Sequence, residues 1–114
     1  MAKYIKIKQI LNELLHYLIK EDEQHFVQKI KLSLDNDQNL INYLQSNDLW
    51  GGAGSLADQA GIENSNRNQI EILLIELGEE QKRLNIVNPR TEMWVIAFKK
   101  WKKNSIEGRV ISSQ

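Results

Sequence analysis

Tyr4-Ile5-Lys6-Ile7-Lys8-Gln9-Ile10-Leu11-Asn12-Glu13-Leu14-Leu15-His16-Tyr17-Leu18 is the stretch that decides the fold class. Its opening, Tyr4 to Lys8, alternates as a strand does. From Ile7 onward the apolar residues fall at Ile7, Ile10, Leu11, Leu14, Leu15 and Leu18, steps of three and four that build one face of a helix. The helical pattern is longer than the alternating one, so the reading is helix. The same period returns along the chain. Glu21, Asp22 and Glu23 make an acidic first turn, suited to the helix dipole, for a second helix with Phe26, Val27, Ile30 and Leu34 on its inner face. Asp35-Asn36-Asp37 reads as a turn and N-cap before a short third helix carrying Leu40, Ile41 and Leu44.

Residues 46–68 are richer in small and polar side chains. A fourth helix follows, from about Gln69 to Asn85, with Ile70, Leu73, Leu74, Leu77 and Leu84 inward and Ile72 and Ile75 widening the apolar face. Gly78 costs that helix about 1 kcal/mol relative to Ala and marks a close contact or a kink. Pro89, with Asn88 as cap, starts a fifth helix in which Trp94, Ala97, Phe98 and Trp101 share one stripe. The expectation is an all-α, single-domain bundle of about five helices over residues 1–103, with a glycine-rich loop between helices three and four. Residues 104–114 form a C-terminal tail.

The chain has 114 residues, enough for one domain with one core. It has no cysteine, which excludes disulfides, thiolate catalysis and Cys-type metal sites. Fifteen basic residues balance fifteen acidic ones, so the broad basic footprint of a nucleic-acid binder is missing. The balance is uneven along the chain. Residues 19–58 hold seven acids and three lysines, a local sum of −4, whereas residues 99–109 hold five bases and Glu107, a sum of +4. No apolar stretch approaches the roughly 20 residues that span a bilayer, and lysines interrupt the N-terminal segment. A soluble, cytoplasmic protein is expected, and abundant Asn, Gln, Ile and Lys suit a bacterial source.

Trp50-Gly51-Gly52-Ala53-Gly54-Ser55-Leu56-Ala57-Asp58 is the least generic segment. Ser55 and Asp58 have capping-box spacing, predicting a short helix from Leu56 that stops at Gly61, with Trp50 filling the core beside it. Trp50, Gly51, Gly52, Gly54, Ser55 and Asp58 are therefore read as a structural loop. The alternative is a small-ligand or anion site on the backbone N–H groups of Gly51–Ser55. The loop lacks the Gly-Lys-Ser/Thr ending of a phosphate-binding P-loop and the βαβ setting of a dinucleotide site.

Other equipment is sparse. His16 and His25 are nine residues apart, with no metal-ligand spacing, so no metal or other cofactor is expected. Ser55 has no nucleophile elbow, and no catalytic residues are assigned. Lys99, Lys100, Lys102 and Lys103 around Trp101 could hold phosphates, but they read better as the solvated end of a helix, so nucleic acid is a minor option.

The segment Trp50, Gly51, Gly52, Gly54, Ser55, Leu56 and Asp58, set between helices, resembles a group of small bacterial proteins considered alongside the immunity proteins of polymorphic-toxin systems. That resemblance implies a helical protein that binds and neutralises a cognate toxin, with no catalytic residues of its own. Together with the acidic stretch, it leads to the expectation of a protein partner met by Glu21, Asp22, Glu23, Asp35, Asp37 and Asp48.

Overall fold

The computed structural model describes residues 2–20, 24–52, 54–59 and 67–112, with side chains over residues 3–19, 24–52, 54–59 and 67–101. After a 3-10 turn (Ala2–Tyr4) come α1 (Ile5–Lys20), α2 (Gln24–Ser33), α3 (Asp37–Leu44), α4 (Asn47–Trp50), α5 (Leu56–Gln59), α6 (Arg67–Leu84) and α7 (Thr91–Ser112). No strand occurs among the described residues. The fold is all-α. Among the described residues the five expected main helices become seven with two single-turn helices between α3 and α6, namely α4 and the short helix expected from Leu56. Each has four residues, too short to show a period in sequence.

The ambiguous N-terminal stretch is helical, and Ile7, Ile10, Leu11, Leu14 and Leu18 are all buried. Phe26, Val27 and Ile30 of α2 and Leu40 and Leu44 of α3 complete the N-terminal side of the core. Asn36 is the N-cap of α3, its side chain accepting from the Asn39 N–H at 2.8 Å. The α6 helix lies between α1 and α7 and buries residues towards both. Ile72, expected to widen its inner face, is instead 45% exposed; Gln81 joins the inner face, and Glu71 and Gly78 are buried on its flank. A Cβ on Gly78 would stand 2.2 Å from Val95 Cγ2, so this glycine marks the close crossing of α6 and α7.

The Asn88-Pro89 junction launches α7. Asn88 Oδ1 accepts from the Arg90 N–H at 2.8 Å, and Thr91 Oγ1 accepts from the Asn88 N–H at 3.0 Å. The aromatic stripe expected to face inward is rotated. Val95 and Phe98 are buried, Trp94 is partly so, and Trp101 is 44% exposed, its ring edge-on to Phe98. The helix continues through residue 103, where the tail was expected to begin, as far as Ser112. Glu79 pairs with Lys99, and Glu80 pairs with Arg83. Those hydrogen bonds to basic partners hold both carboxyls below the usual carboxylate range.

Candidate functional site

The glycine loop is locked from inside. Trp50 is fully buried and donates its Nε1–H to Gln81 Oε1 at 2.9 Å. Gln81, also fully buried, donates through Nε2 to the carbonyls of Leu44 (3.0 Å) and Ile86 (2.8 Å). Trp94 Nε1–H is shared between the carbonyls of Trp50 (3.0 Å) and Gly51 (3.2 Å). Asn88 Nδ2 donates to the Gln45 carbonyl (2.9 Å) and to Asn47 Oδ1 (3.1 Å). Glycine is required at two positions. A Cβ on Gly51 would lie 2.4 Å from the Asn47 carbonyl oxygen, and Gly54 has φ +89°.

The Ser55–Asp58 spacing forms a cap. Ser55 Oγ accepts from the Asp58 N–H (3.1 Å) while donating to the Gly51 carbonyl (2.8 Å). Asp58 Oδ2 accepts from the Gly54 N–H at 3.1 Å, and the Ser55 N–H donates to the Gly52 carbonyl at 3.1 Å. Those two N–H groups are the ones an anion would need, and both are engaged within the chain. Ser55 is 2% exposed, so Ser55→Ala removes a cap and leaves the Gly51 carbonyl with only its share of the Trp94 Nε1–H. We expect a loss of about 1–2 kcal/mol in urea unfolding. A change within experimental error would show that the cap contributes nothing.

A groove lies elsewhere, between α2 and α3. Lys29, Leu32 and Ser33 of α2 and Asn39, Asn42 and Tyr43 of α3 line an open-sided groove of about 230 Å³. Asp35 lies in the turn between α2 and α3, and Asp37 is the first residue of α3. Asp48 Oδ2 meets Lys29 Nζ of the groove wall at 3.3 Å, whereas Asp37 Oδ1 meets Lys8 Nζ of α1 at 3.3 Å. Both are exposed pairs, a class contributing about 0–1 kcal/mol, so they temper the local negative charge at little energetic gain. Leu32 is 58% exposed on the groove wall. Glu21, Asp22 and Glu23 lie outside the described residues.

Tyr43 is the feature that sequence reasoning passed over. It is 7% exposed, and its hydroxyl is buried with no hydrogen-bond partner among the described residues. Burial, with the negative charge of Asp48 adding to it, pushes the phenol far above its ordinary range. The group therefore keeps its proton and remains a donor.

The remaining candidates are dispersed. His16 and His25 are exposed on α1 and α2, each edge-on to its neighbouring aromatic ring, Tyr17 or Phe26. Among the described residues, no three of His, Asp and Glu are grouped so as to hold a metal ion. Lys99 is committed to Glu79, and the side chains of Lys102 and Lys103 lie outside the described set. No described helix is long and apolar enough to cross a membrane. No family model, curated protein or solved structure matches the chain.

Proposed function

We propose that the chain is a non-catalytic protein-binding module, of the immunity type that binds and neutralises a cognate bacterial toxin. The observation that carries this reading is the groove on the α2–α3 pair, with exposed Leu32 on its wall and Asp48 paired to the lining Lys29. An apolar recess rimmed by charge is how protein-binding surfaces combine an anchor with steering. The competing reading, an anion or small-ligand site at Gly51–Ser55, has less support, because the Gly54 and Ser55 N–H groups already have partners.

The test is to read the neighbouring gene and, where it encodes a toxin domain, to co-express that domain with this chain. Asp35→Lys/Asp37→Lys is expected to slow association about tenfold or more and to abolish protection, since rim charge acts mainly on encounter. Folding stability should fall by less than about 1 kcal/mol, because only the exposed Lys8–Asp37 pair is lost. Full protection by the reversed chain would remove this surface from the interface. A neighbouring gene with no toxin domain would remove the immunity assignment itself.

A further inference from the structure

We propose that the α2–α3 groove takes an uncharged amide carbonyl, presented next to an aliphatic side chain by the polypeptide partner, and that the Tyr43 hydroxyl donates to it. The inference rests on the protein-binding reading and adds the chemistry of the anchor.

A buried hydroxyl without a partner costs stability, and phenylalanine would occupy the same ring position without that cost. Such a cost is characteristic of groups retained for binding. Three other polar atoms of the groove have internal bonds. Ser33 Oγ donates to the Ile30 carbonyl at 2.6 Å, Asn39 Nδ2 donates to the Leu32 carbonyl at 3.3 Å, and Asn42 Oδ1 accepts from Gln38 Nε2 at 3.0 Å. What the groove lacks is an acceptor for the Tyr43 O–H. A carboxylate is the wrong acceptor here, because Asp48 already sits beside the groove and takes the positive charge of the lining Lys29. A neutral carbonyl escapes that repulsion. Solvent does not touch the hydroxyl, so the occupant reaches it by turning aside the exposed walls Leu32 and Lys29, at the cost of the exposed Lys29–Asp48 pair, and Leu32 then gives an aliphatic group a surface to cover.

The probes are N-methylisovaleramide and isovalerate, which share an aliphatic group and differ in the amide or carboxylate beside it. Each is titrated into the full chain while backbone amide resonances are followed. The amide is expected to shift residues 29–33 and 39–43 saturably, with isovalerate weaker. Tyr43→Phe should weaken the amide about threefold to tenfold, the equivalent of one net hydrogen bond, while Tm stays level or rises. Any of three results overturns the proposal: no saturable shift in those segments, isovalerate binding as tightly as the amide, or equal amide affinity in Tyr43→Phe. A fall in Tm for Tyr43→Phe also overturns it, since the hydroxyl would then have a partner within the fold. The probes need no toxin, so failure here leaves the protein-binding reading intact, and failure of the charge reversal leaves the chemistry of the groove intact.

Discussion

Gln81→Leu is expected to destabilise the protein by about 3 kcal/mol or more, although the substitution makes a buried position more apolar. The amide joins three groups that water cannot reach: Trp50 Nε1–H, the Leu44 carbonyl and the Ile86 carbonyl. Leucine fills similar space and leaves all three without partners, at about 1–3 kcal/mol each. The gain from burying a leucine offsets part of that sum. Domains of this size are stable by about 5–15 kcal/mol, so the loss should be plain as a lower urea midpoint with little change in slope. Trp50→Phe in the same background removes one orphaned donor. The double variant should therefore lose less than the two single losses added together. Strict additivity would show that Gln81 and Trp50 do not act as a unit.

Gly78→Ala is expected to destabilise by about 2 kcal/mol, against the direction that helix propensity alone would give. An exposed glycine within a helix gains about 1 kcal/mol on becoming alanine. Here the new methyl would lie 2.2 Å from Val95 Cγ2, where carbon atoms normally settle at about 3.5–4.0 Å. Val95 is 1% exposed and β-branched in a helix, so it has little freedom to turn away. The helices must instead move apart, which loosens the packing beside Trp50, whose ring also borders this position. Combining Gly78→Ala with Val95→Ala makes room, and the pair should recover more than about 1 kcal/mol relative to additivity. Stabilisation by Gly78→Ala alone would refute the close crossing.

These two positions also show what could be read in advance and what could not. The inner faces of α1, α2 and α3 follow from spacing, because each helix has one apolar stripe that is buried in the common core. Gln81 stands in the same register as Ile70, Leu74, Leu77 and Leu84, so its burial was legible, but its polarity turned attention away from that face. On α7 the weight of two tryptophans pulled the expected stripe towards Trp101, whereas contact with Gly78 selects Val95. The Ser55–Asp58 cap was legible because it is local. The groove was not. It depends on how α2 packs against α3, and the isolation of the Tyr43 hydroxyl depends on residues from both helices and from α4. No spacing within one element encodes that.

The side chains of Gln81, Asn88 and Trp94 all reach back to the backbone between residues 44 and 51, across sequence separations of 37 to 44. Sequence-adjacent helices, by contrast, pair locally, α1 with α2, α2 with α3, and α6 with α7, while the packing of α1 on α6 is a second long-range tie. Time therefore divides the molecule differently from space. The local pairs can assemble early with small loop-closure penalties, while the 44–51 segment waits until the C-terminal pair arrives to receive its carbonyls. Those long-range ties form late, so they govern how slowly the folded chain comes apart more than how quickly it comes together.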